Sequence, residues 1–323
     1  MRFSRRKLAD ISLLVLVNAM WAAQYAAYKV ATQRMGPITV SAWSFLIASV
    51  VLLPFLLWER NRSKTVPSPR EATAPPPPPA DRSLLTRRNL AGFLIISLFG
   101  LIPGSAILAW GVDRSTASNA AIIYLTVPVT TAILASVILK ERMTAARWGS
   151  LFISLAGVLV LSSADLRHLQ LASGKFLVGN LLVLAACTGS SFYNVYCKEL
   201  LRRFTPLEVL IFGYLLTFVA CLPLMAFVEH FALASLRGYR PATWLALIVL
   251  SVFSWGLAMV LWMFLLKRLD VSQASVSIYL LPFLGVVIAA VTLHEEITAA
   301  MILGGMITLT GTVLITTLDS SSS

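Results

Sequence analysis

The strongest constraint on this chain is that one of its apolar stretches occurs twice. Residues 118–141 read S-N-A-A-I-I-Y-L-T-V-P-V-T-T-A-I-L-A-S-V-I-L-K-E, with a proline mid-way and charge only at the end. About twenty such residues cross the roughly 30 Å hydrocarbon core of a bilayer as a helix. A shift of 154 residues carries Ser118 onto Ser272, Ala120 onto Ala274, Pro128 onto Pro282, Ala135 onto Ala289 and Glu141 onto Glu295. T-A-A at 144–146 falls on T-A-A at 298–300, and Gly157 on Gly311. Alanines match cheaply in an apolar chain; a proline, a glutamate and T-A-A at one offset do not. An internal repeat fixes architecture before any single motif does.

The rest of the composition agrees. Of 323 residues, 58% are hydrophobic and 12% charged, against about 25% charged in a soluble domain. The sequence therefore predicts an all-α, multi-pass integral membrane protein. Its formal charge of +12 sits in short loops, where it sets topology and meets anionic lipid, and it does not point to nucleic acid. Cys187, Cys197 and Cys221 all lie in apolar segments and read as small core residues. His168, His230 and His294 are scattered, so no metal site is expected. Arg5-Arg6-Lys7 ahead of an apolar run resembles the start of a leader peptide. The run is too long for one, though, and it has its own partner in the second half.

Hydropathy gives ten spans: 9–31, 38–58, 90–111, 117–139, 145–163, 176–198, 206–228, 242–266, 271–293 and 298–317. The first two repeat at an offset of 169, with Lys29 on Lys198, Pro37 on Pro206 and Pro54 on Pro223. The two offsets differ by 15 residues, which the 59–88 loop absorbs. That loop holds a Pro-rich, extended spacer. Placing both termini in the cytoplasm puts 19 Lys and Arg on that side against 7 on the other, as the positive-inside rule requires. Five spans per repeat is an odd number, so the second half, 164–323, should sit inverted relative to the first, 1–163.

Span 1 places Asn18, Trp21, Tyr25 and Tyr28 on one helical face with Gln24 beside them. Amide groups facing lipid would be stranded, so this face should look inward or onto a wet cavity. Packing with interhelical hydrogen bonds is the plainer role for any one of these residues. The matching face of span 6 is Cys187, Ser190, Asn194 and Cys197, with Tyr193 beside it. Span 8 offers Trp255 and Trp262, span 9 Ser272, Ser275 and Tyr279, and span 4 Asn119, Tyr124 and Thr126. Pro128 and Pro282 kink their spans and free the carbonyls of Tyr124 and Ile278 for solute, for water, or for nothing beyond a fixed bend. Glu141 and Glu295 close spans 4 and 9, and Thr144 and Thr298 then cap the helices that follow. Small residues at Ser150, Ser154 and Gly157, and at Gly304, Thr308 and Gly311, permit close helix approach, with contact between subunits a second use.

W-A-A-Q-Y-A-A-Y-K-V-A at 21–31, L-K-E-R-M-T-A-A-R-W-G at 139–149 and L-H-E-E-I-T-A-A-M-I-L-G at 293–304 resemble the drug/metabolite transporter superfamily, in particular its EamA-like family. The resemblance covers nearly everything outside 59–88. It implies ten helices in two inverted five-helix halves. It also implies a central path lined mainly by spans 1, 3, 4, 6, 8 and 9, and export or exchange of small metabolites such as amino acids. No Asp or Glu falls mid-span and no phosphate-binding loop is present, which favours a neutral or zwitterionic small-molecule solute and no cofactor. An enzyme acting on lipid-linked substrate would need clustered acids, histidines or metal ligands at one membrane face, and a scaffold would use the Pro-rich loop.

Overall fold

The computed structural model describes residues 5–65, 86–115, 117–162, 171, 174–293 and 298–317. Among these every regular element is helical. In chain order they are α1 (Arg5–Thr32), α2 (Pro37–Thr65), α3 (87–113), α4 (117–139), α5 (Ala145–Leu161), α6 (Leu177–Leu200), α7 (Pro206–Phe227), α8 (Pro241–Arg268), α9 (271–293) and α10 (Ala299–Thr317). Among the described residues seven stretches are long and apolar enough to cross a membrane, lying in α2, α3, α4, α6, α7, α8 and α10; α5 and the start of α9 are shorter apolar helices. The Pro-rich segment, His168, His294, Glu295 and Glu296 lie outside the described residues.

Local chemistry explains where the helices begin. Thr144 Oγ1 accepts from the Arg147 amide and Thr298 Oγ1 from the Met301 amide, each at 3.3 Å, the capping that T-A-A predicts. Pro37 and Pro206 open α2 and α7, where a missing N–H costs nothing. Thr205 and Glu208 cap α7 reciprocally, and Asp270 and Gln273 do the same for α9. Lys140, at φ 59°, ends α4. Wide turns interrupt α3 around Pro103 and α8 over Leu250–Ala258, as insertions into a helical ladder do.

Two closely packed helix pairs and six further helices make the bundle. In one pair α5 crosses α10, and Ser154 lies at the crossing. Its hydroxyl donates to the Thr308 carbonyl at 3.3 Å, and the Thr308 hydroxyl returns the bond to the Ser154 carbonyl at 3.4 Å. Gly157 approaches Gly304 while Gly311 approaches Ser150, so the two helices run antiparallel. In the other pair α2 lies along α7, with Thr39 bonded to Glu229 at one end and Arg60 to Glu208 at the other. Phe45 stacks on Tyr214 between them, ring centres 5.0 Å apart. Among the other six, α6 packs on α3 and α4, and α1 packs on α8 and α9.

Lys7 Nζ donates to the Thr317 carbonyl at 3.0 Å, and Arg268 pairs with Asp10 at 3.2 Å. The start of α1 and the ends of α8 and α10 therefore share one face, called here the termini face. The Glu229 end of α7 lies at the far face.

Candidate solute site

The polar face of α1 meets three other helices. Asn18 is fully buried; its amide donates to the Leu14 carbonyl at 2.8 Å and to Ser277 Oγ of α9 at 2.9 Å. Its oxygen, Oδ1, has no hydrogen-bond partner among the described residues. One turn on, the Trp21 ring lies 5.1 Å from that of Trp262 on α8, tilted by 60°. Trp262 is the largest wholly buried side chain among the described residues, and its indole N–H donates to Asn194 Oδ1 on α6 at 3.1 Å. A buried indole requires such a partner. Four residues singled out from sequence thus converge from three helices. Toward the far face, Gln24, Ile123, Tyr124, Leu284 and Ile288 are half-buried. The latter four and Trp21 surround a buried apolar group that includes Ala22, Val127, Cys187 and Ile278. The Tyr25 side chain lies outside the described residues.

In α4 the chain leaves helical form at Leu125, three residues before Pro128. The hydroxyl of Tyr279 on α9 donates to the Leu125 carbonyl at 2.9 Å. The hydroxyl of Ser191 on α6 donates to the Val127 carbonyl at 3.1 Å. These two carbonyls at the break are therefore held by α9 and α6. Sequence reasoning missed Ser191 and Ser277: Ser191 lies one turn beyond Cys187 on the face chosen for α6, whereas Ser277, two residues from Ser275, lies on the opposite side of its helix. In α9 a tight turn at Ser277–Tyr279 precedes Pro282, and Ser275 bonds within its own helix to the Ser272 carbonyl.

Other candidates face elsewhere. Ser190 and Tyr193 turn toward α3, where Gly104 and Gly100 make room for them. Asn119 donates to Asn180 and ties the start of α4 to the start of α6. Trp255 packs edge-on against Phe45 and Tyr214, and its carbonyl accepts from the Tyr214 hydroxyl at 2.9 Å. Tyr28 packs toward α2 and α8 beside Ala31, Val40 and Leu247.

Acidic residues hold helix ends together across the bundle. Glu141 reaches past α5 to the start of α9, accepting from the amides of Val271 and Ser272 at 2.7 and 3.0 Å and from the Ser272 hydroxyl at 2.8 Å. The sequence suggests a role at the end of α4; the bonds place the carboxylate on a helix 130 residues away. At the far face Glu229 does the same for α2, accepting from the amides of Ile38 and Thr39 at 2.7 and 2.8 Å and the Thr39 hydroxyl at 2.6 Å. Partial burial, reinforced by Glu229, pushes the Tyr239 phenol above its ordinary range, so it stays neutral beside that carboxylate. Replacing Glu229 with alanine strands three donors at a helix N-terminus. We expect a loss of about 2 kcal/mol, read as a lower melting midpoint of the purified protein; an unchanged midpoint would contradict the assignment.

The family model described as the EamA-like transporter family matches residues 9–163 and 177–317. The chain belongs to the EamA-like transporter family. It is similar to a protein of Streptantibioticus cattleyicolor named "Probable terminal-alkyne amino-acid exporter", 28% identical over 94% of this chain and 91% of that one. An uncharacterized transporter of Archaeoglobus fulgidus is 24% identical over 94% of this chain and 96% of its own. The transporter YoaV of Bacillus subtilis, also uncharacterized, is 22% identical over 91% and 92%. A solved crystal structure superposes with a TM-score of 0.74 at 18% identity, covering 97% of this chain and 96% of that chain, which shows a shared fold. In this EamA-like transporter the group formed by Asn18, Trp21, Asn194 and Trp262 lies where α1, α6, α8 and α9 meet.

Proposed function

We propose that this EamA-like transporter exports small organic solutes of amino-acid type, neutral or zwitterionic, by alternating access between two inverted halves, residues 1–163 and 164–323. The observation that carries this reading is the reciprocal bond between Ser154 and Thr308, residues 154 apart in sequence. The same offset joins Leu125 to Tyr279, and the 169 offset joins Phe45 to Tyr214. Equivalent residues of two copies meet where a two-fold axis passes between them. The antiparallel run of α5 and α10 at such a point supports an axis in the membrane plane, the symmetry of inverted-repeat transporters. Taking α1, α5 and α9 with the seven longer stretches gives ten spans. An even number agrees with Lys7 and Thr317 meeting at one face, and the Lys and Arg bias supports a cytoplasmic side for that face.

Trp21, Trp262, Asn194 and Asn18 form the floor of the path, offering aromatic surface and amide groups with no charge. Such a floor suits a solute with an apolar side chain and internally balanced charge. The name of the Streptantibioticus relative supports the same class. The test is counterflow in proteoliposomes loaded with unlabelled neutral amino acids and given labelled ones outside. Parent protein should accelerate exchange. Trp21→Ala, which removes an aromatic contact worth about 1 kcal/mol, should slow it about fivefold at limiting solute with unchanged yield and melting. Exchange no faster than in empty liposomes across the neutral set would reject the solute class. Parent-like exchange by Trp21→Ala would move the path elsewhere.

A further inference from the structure

Four charged side chains close the termini face at its centre. Glu141 follows α4, Arg147 lies in the first turn of α5, Lys198 in the last turn of α6, and Asp270 between α8 and α9. Arg147 pairs with Asp270 at 2.7 Å and donates to the Arg142 carbonyl at 3.1 Å. Lys198 Nζ lies 3.9 Å from both Glu141 and Asp270 and donates to the Leu269 carbonyl. With the three bonds from Glu141 to Val271 and Ser272, the network ties residues 141 and 147 to residues 198 and 269–272. The side chains of Arg147 and Glu141 are 1% and 7% exposed. Just inside them Leu265, Leu266, Val271, Ser272, Ala274 and Val276 are fully buried, so these residues are closed to solvent beneath the network.

Two cations and two anions cancel, and that neutrality bears on what the network does. A buried ion pair adds little net stability over an apolar plug of equal volume. The two differ in what opening would cost. An apolar plug parted by water loses its burial in full, whereas paired charges exchange each other for hydration. A mouth that must both seal and open is better closed by charges.

We propose that Glu141, Arg147, Lys198 and Asp270 form a releasable ionic clamp that shuts the termini-side mouth of the path, with Glu141 fixing the start of α9. This rests on the alternating-access reading above. The test uses Ala274→Cys, one turn inside the clamp, in a background with Cys187, Cys197 and Cys221 replaced by alanine. A charged maleimide is added to open membrane sheets, so that both faces are exposed to it. The single cysteine should label slowly. Adding Glu141→Gln, which replaces a charged acceptor with an amide that mismatches the α9 amides, should raise the rate about tenfold, the factor for losing a hydrogen bond to a charged group. Arg60→Gln, which breaks the partly exposed Arg60–Glu208 pair at the same face, should leave the rate unchanged. If Glu141→Gln does not accumulate, Ser272→Ala removes one of the three bonds to Glu141, that from the Ser272 hydroxyl, and should give a smaller rise. Labelling at the parent rate, or an equal rise with Arg60→Gln, overturns the clamp. The readout needs no solute: faster labelling without exchange of any solute rejects the transport reading alone, and exchange with unchanged labelling rejects the clamp alone.

Discussion

A leucine in place of Gly157 should prevent α5 and α10 from docking. A Cβ at Gly157 would lie 2.5 Å from the amide nitrogen and hydroxyl of Thr308 and 2.7 Å from the Gly304 carbonyl. Two of those three atoms are backbone, so no rotamer change relieves the contact. Across the crossing, a Cβ at Gly304 would lie 2.5 Å from the Gly157 carbonyl and the Leu161 amide. The helices approach closely because both surfaces lack side chains there, and in lipid such packing supplies much of what holds helices together. Inserting even a methyl group forces the backbones apart and breaks the Ser154–Thr308 exchange, at a cost of about 3 kcal/mol or more. Gly149 gives the control on the same helix, since nothing lies within 4 Å of its would-be Cβ. We expect Gly149→Leu to purify and melt like the parent, and Gly157→Leu to give little monodisperse protein on size exclusion. Equal yields from the two would show that the crossing tolerates separation.

The same glycines show what could be read in the chain before its structure. Repeat positions, small-residue ridges and the caps at Thr144 and Thr298 are local or periodic, and all three were legible. The direction of side chains around α6 was not. That helix is apolar on most of its circumference, so periodicity does not distinguish a face toward a path from a face toward α3. Ser190 and Tyr193 sit opposite Gly104 and Gly100. The sequence shows those glycines as a pair of small residues but does not say what fills the space above them. Asn194, one residue beyond Tyr193, points the other way to Trp262. Contacts between distant helix ends were equally hidden. Nothing near Glu141 signals the amides of Val271 and Ser272, and nothing near Glu229 signals those of Ile38 and Thr39. The repeat adds one regularity that becomes visible only with contacts in hand. At an offset of 169, Arg60 corresponds to Glu229 and Thr39 to Glu208. The end of α7 meets the start of α2 as carboxylate to amide, and the end of α2 meets the start of α7 as guanidinium to carboxylate. At that offset Arg60 and Glu229 thus each close one end of the α2–α7 pair, with opposite charge.

Arg147 is the residue whose loss should cost most at the termini face, where its position in a short loop-to-helix junction reads as either solvated or paired at the interface. Its side chain is 1% exposed and its fork spans the Asp270 carboxylate and the Arg142 carbonyl. Methionine at this position keeps most of the aliphatic volume and removes the charge. Asp270 then keeps its cap on α9 and the Lys198 ammonium 3.9 Å away, but loses its 2.7 Å partner. Breaking a buried pair from one side costs about 3 kcal/mol, the low end of the usual range, because Asp270 is still 22% exposed. The second substitution tests that account. Asp270→Asn preserves a good N-cap for α9 and removes the unpaired charge, so Arg147→Met with Asp270→Asn should recover most of what Arg147→Met loses. Asp270→Asn alone should also destabilise, since it leaves the guanidinium buried against a neutral amide. The four melting midpoints form a double-mutant cycle whose coupling should exceed about 1 kcal/mol. If Arg147→Met melts with the parent, or the double variant falls as far as the two single losses added together, the pair is not holding these helices and the fold around α9 is carried by packing alone.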